Sequence, residues 1–598
     1  MSYTPPVRDM RFVLEELIGL DRVGALPGCD QVTPDLVGAV LDEAAKFARD
    51  VLAPLNHPGD KQGASWHDGE VSTPDGFADA YKRFVEGGWN ALAGDPEFGG
   101  QGLPMAVAAA VDEMWNASNV SFALCPLLTT GAIEALHLTG SDAQKALYLP
   151  KMVEGTWTGT MNLTEPQAGS DLAAVRTRAV PEPDGRYRIF GQKIFITYGD
   201  HDMAENIVHL VLARLPDAPE GVKGLSLFIV PKFIPDANGN PGERNDVHCV
   251  SIEHKLGIHG SPTAVLAFGD HGGAIGELVG EANRGLEYMF IMMNAARFHV
   301  GLQGVAVSDR ALQQAREYAK ERVQGVETGV RGGGRVPIIK HPDVRRMLME
   351  MKARTESMRA LAYVTAFLLD VGSRAENEEG RKRAQLFAEL LIPVVKGWST
   401  ESSIELANIG IQVHGGMGFI EETGAAQYLR DARILTIYEG TTGIQANDLV
   451  GRKIARDGGR VATVGIATMR EEIKNLPEDG DLATLRTGMA EALSLLEACV
   501  EWVANTYSVD PRPALAGAVP LLKLFGITAG GWQTARAALA AKAKLDAGEN
   551  AERDFYTAKI GTARFYADSV LPQVRALAHT VMNAAAGTLA LTDEQLAA

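Results

Sequence analysis

At 598 residues the chain exceeds what a single hydrophobic core organises and is expected to divide into several domains. Its hydrophobic fraction of 46% and charged fraction of 22% are those of a folded globular protein rather than a disordered one. The net charge of −18 argues against general nucleic-acid binding, which needs a basic face, and no apolar run reads as a membrane span.

The N-terminus, Met1 to Asp9, has neither the basic-then-apolar order of a signal peptide nor the Arg/Ser-rich character of a transit peptide. Thr33-Pro34-Asp35 predicts a capped helix start, followed by Leu36, Val40, Ala44 and Phe47 at helical spacing. A second helix is expected around Asp75 to Glu86, stopped by Gly87-Gly88, and residues 95–102 read as a loop. These elements predict a helical domain over residues 1–156. The periodicity changes at Trp157. Ile194 to Tyr198, Ile207 to Ala213 and Leu225 to Val230 are short apolar or β-branched runs, with turn chemistry at Asp184-Gly185, Pro216-Asp217 and Asn238 to Pro241. They predict a small antiparallel β domain over 157–278.

Helical spacing returns over Met289 to Glu321, His341 to Val371 and Arg381 to Ile409, predicting a helical bundle over 279–459. A glycine-rich loop, Val326 to Arg335, joins the first two helices. No strand precedes its glycines and no Lys-Ser/Thr follows, so it is not a P-loop. Beyond residue 460, Leu493, Leu496, Val500 and Val503 form a helical stripe, and further helix patterns lie within 513–545 and 551–590. This last unit, 460–598, is slightly acidic and reads as packing or a subunit interface. The fold class expected is α+β, mostly α. The four cysteines, Cys29, Cys125, Cys249 and Cys499, lie far apart with no CxxC and no Cys/His cluster; we expect reduced thiols, a cytoplasmic protein and no bound metal.

One segment carries an unusual charge. Leu435 to Thr442 reads Leu-Thr-Ile-Tyr-Glu-Gly-Thr-Thr, placing Glu439 within an apolar, β-branched run. Desolvation there raises a carboxyl from ~4.3 towards the range of a general base. Gly440 beside it permits a sharp turn or the close approach of a ligand. The other chemistry-bearing segments are Met161-Asn162-Leu163-Thr164-Glu165-Pro166-Gln167-Ala168-Gly169-Ser170-Asp171, Gly191 to Thr197, Arg297 after Met292 to Ala296, Arg322 to Gly325, and Gln412 to Phe419. A strand end at Thr164 offers free backbone amides and a hydroxyl. Alternation puts Phe195 and Thr197 on one strand face.

In this order the segments resemble the signatures of the acyl-CoA dehydrogenase family, whose catalytic base lies in a Y-E-G-T run. The resemblance covers roughly 85–455. Through Tyr3 to Phe12, Ser251 to Gly260 and His341 to Met351 it extends along nearly the whole chain, resembling the branch of 3-methylmercaptopropionyl-CoA dehydrogenases and their bacterial relatives, which carries an additional C-terminal helical domain. It implies FAD held by Met161, Leu163, Thr164, Gly169, Ser170, Phe195, Thr197, Arg322, Gln324, Gln412, Gly415, Gly416 and Thr441. It implies an acyl-CoA contacted by Ser170, Asn294, Arg297, Glu439 and Gly440, with Glu439 as the base. Ala296 stands where some members carry their base instead, the usual Phe after Arg322 is missing, and Gly443 replaces a polar residue near the adenine. The implied reaction is α-proton removal by Glu439 with β-hydride transfer to flavin, giving a trans-2-enoyl-CoA, with electrons passing to an electron-transfer flavoprotein and a homodimer as the assembly. The alternatives are an acyl-CoA oxidase that uses oxygen and a DNA-binding flavoprotein of the alkylation-response type.

Overall fold

Thr33 caps the first long helix as its sequence predicts: its side chain accepts from the Leu36 N–H, and Pro34 occupies the first turn of α1 (Pro34–Phe47). The structure, a computed structural model, describes residues 3–548 and 550–598. The N-terminal helices continue with α2 (Phe77–Glu86), α3 (Met105–Ser118), α4 (Val120–Thr139) and α5 (Asp142–Glu154). By length and composition α4 passes as a membrane span, contrary to the sequence reading, but 78% of its most apolar window is buried inside the protein.

The strands are β1 (Trp157–Asn162), β2 (Arg178–Pro181), β3 (Tyr187–Thr197), β4 (Asn206–Arg214), β5 (Leu225–Pro231), β6 (Val247–Ile252), β7 (Thr263–Phe268) and β8 (Ala274–Val279). They form one sheet in the order β6-β7-β3-β8-β5-β4-β1, with β2 beside β3 and β4. The domain is not wholly antiparallel. β1 pairs with β4 in parallel along its full length, from Trp157 opposite Asn206 to Asn162 opposite Val211. The apolar runs of β4 and β5 are buried on both faces, and alternation sorts them into two cores. Val208, Leu210, Leu212, Leu225, Leu227 and Ile229 pack with residues of α4, α5 and the helix that follows the sheet. Val211, Ala213, Phe228 and Val230 face Ile196, Leu266 and Phe268.

That next helix is α6 (Gly285–Glu321), followed by α7 (Pro342–Arg374), α8 (Glu378–His414), α9 (Ala425–Leu435) and α10 (Thr442–Asn447). The glycine-rich loop between α6 and α7 is closed by a short hairpin, Val323–Val326 against Arg335–Pro337. The C-terminal unit contains α11 (Arg460–Glu472), α12 (Ala483–Val509), α13 (Ala518–Asp546), α14 (Arg553–Phe565) and α15 (Gln573–Asn583). The pattern over 551–590 is broken between α14 and α15, where Pro572 cannot continue a helical hydrogen-bond ladder.

The C-terminal unit shares one core with the bundle: Leu391 and Trp398 of α8 belong to the same buried cluster as Leu493, Val500 and Trp532. Gly526 and Gly530 of α13 make this contact close. A Cβ on either would lie 2.2 and 2.4 Å from the Trp398 ring system. A buried ion network also crosses the chain. Arg359 of α7 pairs with Asp9 at 2.6 Å, Glu113 of α3 at 2.6 Å and Asp309 of α6 at 3.0 Å. Lys559 of α14 completes it, paired with Asp9 and with Glu356 at 2.9 Å. The C-terminal unit therefore does carry buried titratable chemistry, though of a structural kind that the sequence reading missed.

Candidate active site

Glu439 lies on a tight turn between two helices. After α9, the Ile437 and Tyr438 N–H groups both bond back to the Ile434 carbonyl, and Thr441 then caps α10 through the Ile444 N–H. The two residues between have φ of +54° at Glu439 and +88° at Gly440. For Gly440 this is ordinary; for a glutamate it stores strain on the order of 1–3 kcal/mol, which the surroundings must hold in place. They do so through named bonds. Gln445 Nε2 donates to the Glu439 carbonyl at 3.1 Å and the Gly440 carbonyl at 3.3 Å. Lys396 Nζ donates to the same Gly440 carbonyl at 2.7 Å. The Tyr438 hydroxyl bonds Gln303 of α6, whose amide in turn reaches Asn116 of α3 at 3.0 Å.

Protein encloses the Glu439 side chain while leaving part of its surface open, so its carboxyl loses most of its hydration and is pushed up to about 7. Lys396 and Arg297 oppose that rise. Arg297 is buried on α6, paired with Asp448 at 3.3 Å and bonded to Asn294 at 3.4 Å, and its Nε has no partner among the described residues. Ala296 beside it is buried and offers no acid, so Glu439 is the carboxylate facing Arg297 and Lys396.

A second group lies at the sheet. Lys193 of β3 is fully buried, bonded to the Leu163 carbonyl at 3.0 Å and to Glu165 at 2.9 Å. Glu165 also accepts from the Thr177 hydroxyl at 2.6 Å and from the Arg176 and Thr177 N–H groups. Burial alone would raise the Glu165 carboxyl; Lys193 and these bonds hold it down at about 2. This buried pair and the Ile194 N–H bond to the Thr164 carbonyl at 3.0 Å tie the Met161–Ser170 segment to the Gly191–Thr197 strand. Met161 and Leu163 pack on the helical side of the sheet, the Thr164 N–H has no acceptor among the described residues, and Gly169 and Ser170 are exposed.

The alternation expected of Phe195 and Thr197 is interrupted. β3 carries one extra residue against β7 between Lys193 and Ile196, and Phe195 in this bulge has φ of +60°. The bulge turns the Phe195 ring outward, leaving it 59% exposed. A strict period of two cannot anticipate an inserted residue.

A third group lies far along α6. Arg297 and Arg322 are 25 residues apart on or just beyond one helix, roughly 37 Å at the α-helical rise. Arg322 and Gln324 are exposed there, and the Gln324 carbonyl bonds His341 at 2.7 Å. The Tyr318 and His414 rings, 4.5 Å apart, bring this turn against the end of α8, where Gln412, Gly415 and Gly416 are exposed. A single protein chain thus collects its candidate residues in three places: Glu439 with Arg297 and Asn294, the Met161–Ser170 segment with the Gly191–Thr197 strand, and Arg322 with Gln412 and Gly415. Around them Phe419 is 88% exposed, with Met417, Ile420, Val323 and Val326 also exposed.

Sequence reading missed Lys396 and Gln445. Lys396 interrupts the apolar run Leu390 to Trp398, the same signal that singled out Glu439. It also missed Asp246, His248 and His271, the one group among the described residues whose donor atoms are close enough to hold a metal ion, all within 4.8 Å. Asp246 there accepts from the His271 and Gly273 N–H groups and fastens the β7–β8 turn.

Family profiles match the chain in succession: acyl-CoA dehydrogenase N-terminal domain over 38–156, middle domain over 160–271, C-terminal domain over 283–454, and an acetyl-CoA dehydrogenase C-terminal-like domain over 466–592. The chain is 52% identical over 578 residues to the 3-methylmercaptopropionyl-CoA dehydrogenase of Ruegeria pomeroyi, covering 96% of this chain and 97% of that protein. It is 38% identical over 592 residues to a broad-specificity linear acyl-CoA dehydrogenase of Mycobacterium tuberculosis, covering 95% and 96%. The solved structure of a Bacillus anthracis acyl-CoA dehydrogenase complexed with FAD shares the fold at a TM-score of 0.74 and 22% identity, over 96% of this chain and 92% of that one.

Proposed function

Because the chain belongs to the acyl-CoA dehydrogenase family, an FAD-dependent group of oxidoreductases acting on acyl-CoA, we propose that Glu439 is its catalytic base. The observation that carries this reading is the Glu439 turn itself: a desolvated carboxyl, pushed up to about 7, facing Arg297 and Lys396. A base in that range takes the proton α to a thioester carbonyl far better than an ordinary carboxylate. The Glu439 N–H has no acceptor among the described residues and is available to the thioester oxygen, where it stabilises the enolate-like charge as the proton leaves.

The residues present suit FAD. Nothing lies within 4 Å of a Cβ built on Gly169, Gly415 or Gly416, so their backbones leave room for a ligand against the main chain. Phe195 offers an apolar ring and Thr164 a free amide to a flavin. When bound, FAD supplies the acceptor for the β-hydride. The wide separation of Arg297 and Arg322 supports a homodimer, in which Arg322, Gln324, Gln412, Gly415 and Gly416 serve the nucleotide held by the other copy. Thr441, whose hydroxyl already caps α10, has its proton left to donate.

The Ruegeria relative supports a short thioether substrate, 3-(methylthio)propanoyl-CoA, with trans-2-enoyl-CoA chemistry as the reaction and an electron-transfer flavoprotein as acceptor. A cavity of about 560 Å³ beside Asn294 and Arg297 is also lined by Arg452 and Lys453, paired with Asp448 and Glu389, and by Arg456 and Arg460 beside Asp457, an excess of cations that suits the phosphates of CoA. The four buried free cysteines fit a reducing cytoplasm.

Anaerobic flavin reduction by a panel of acyl-CoAs, from four to sixteen carbons plus 3-(methylthio)propanoyl-CoA, tests this reading. The thioether is expected to give the highest kcat/KM. Failure of every acyl-CoA to bleach the flavin refutes the function, and stoichiometric peroxide without an acceptor flavoprotein favours an oxidase. Arg322→Ala is expected to purify with much less FAD while the loaded fraction reacts at close to the wild-type rate. Full flavin content in that variant counts against the shared nucleotide site.

A further inference from the structure

Lys396 is fully buried, and the only hydrogen bond from its ammonium among the described residues goes to the Gly440 carbonyl, the peptide that follows the proposed base. An ammonium buried on one neutral acceptor is costly to keep, and burial pushes it down to about 7. A methionine or leucine of similar size would fill the same space without that cost. We propose that Lys396 is a positioning residue for the reaction: it clamps the strained Glu439–Gly440 turn through the Gly440 carbonyl, and its positive charge opposes the effect of burial on the Glu439 carboxyl. This rests on Glu439 being the base.

The geometry separates the two roles. Gln445 already binds both carbonyls of the turn, so Lys396 adds a second donor at Gly440 from a different helix and pins the peptide plane from α8 as well as from α10. The charges that act on Lys396 are Glu439 on the turn, Arg297 on α6 and Glu401 five residues further along α8, while α13 brings the apolar Leu522 against the neighbouring Gly397. Arg297 is engaged by Asp448, whereas Lys396 has no carboxylate within salt-bridge distance among the described residues and its charge is left to act on Glu439. Glu401 meanwhile accepts from the Thr442 hydroxyl at 2.5 Å, which fastens the start of α10. With Lys396 neutral, the desolvated carboxyl keeps Arg297 alone as its opposing charge and holds its proton to higher pH.

The test uses full-length, FAD-loaded enzyme and reads kcat/KM for flavin reduction against pH, which reports the free-enzyme base. Lys396→Met removes donor and charge, Lys396→Gln keeps a donor without charge, and Lys396→Arg keeps the charge. Both neutral variants are expected to move the acid limb upward by roughly one to two pH units, and Lys396→Arg to leave it in place. Lys396→Gln is expected to recover more of the high-pH plateau than Lys396→Met, because it retains a donor for Gly440. Should Lys396→Met fail to load flavin, the comparison of Gln with Arg decides the question. The proposal is overturned if the neutral variants lose activity by the same factor at every pH, or if their acid limb stays where it is in the wild type. An error in the underlying reading looks different: Glu439→Gln would then still reduce flavin.

Discussion

Glu439→Gln is expected to retain FAD and bind acyl-CoA, yet to bleach its flavin at least about a hundredfold more slowly than wild type, the lower end of what a general base contributes. The amide keeps the shape and the left-handed turn but has no lone pair basic enough to take a carbon-bound proton. Anaerobic mixing followed by flavin absorbance separates the loss of chemistry from the loss of binding, which appears as a shift in the substrate dependence. The wild-type pH profile carries the same signature. Burial raises this carboxyl to about 7, so the base is protonated and idle below that pH and free above it. The rate is therefore expected to climb with pH through this region and then level off. A Gln variant reacting at more than about a hundredth of the wild-type rate would fall short of the usual contribution of a base and sink the assignment.

The second large effect is structural. Arg359→Leu should destabilise the N-terminal segment by about 3–5 kcal/mol, because one buried cation faces three carboxylates and its removal takes that charge from Glu113 and Asp309 and leaves Lys559 as the cation paired with Asp9. Burial pushes Glu113 up even with Arg359 beside it. Burial acts the same way on Asp9, but Lys559 and Arg359 outweigh it and hold that carboxyl below its ordinary range. The stabilisation from Asp9 is accordingly complete above its unfolded-state value and lost as pH falls through the folded one. Hydrogen exchange is the direct measurement: amides of residues 7–18 should open at least about a hundredfold more readily in the variant. Unchanged protection there would mean that apolar packing of Met10, Phe12 and Leu14, and not the ion network, holds the segment. Adding Glu113→Gln should restore part of the loss, since it removes one orphaned charge.

Local chemistry was readable in the sequence where it is decided by neighbours along the chain. The Thr33 cap, the stop at Gly87-Gly88 and the long helices of the bundle follow from a few adjacent residues. Glu439 was readable because a carboxylate in an apolar run is conspicuous. Lys396 obeys the same logic in Val395-Lys396-Gly397-Trp398, but its meaning depends on a carbonyl 44 residues away. The bulge at Phe195 escaped because alternation counts residues on one strand, while a bulge is a mismatch between two. The parallel pairing of β1 with β4 and the carboxylates around Arg359 are likewise relations between distant segments, and no local pattern marks them.

The ion network also constrains the order in which the protein is made. Asp9 lies 550 residues before Lys559. At a synthesis rate of about 5–20 residues per second, the N-terminal segment waits roughly half a minute to two minutes for that partner to emerge. Met10, Phe12 and Leu14 are all fully buried in the finished protein, and Phe12 packs against Phe555 and Tyr556 of α14, so its burial too is complete only when that helix docks. Residues 7–18 are thus among the last parts of the fold to settle, because their ion network is complete only when α14 docks.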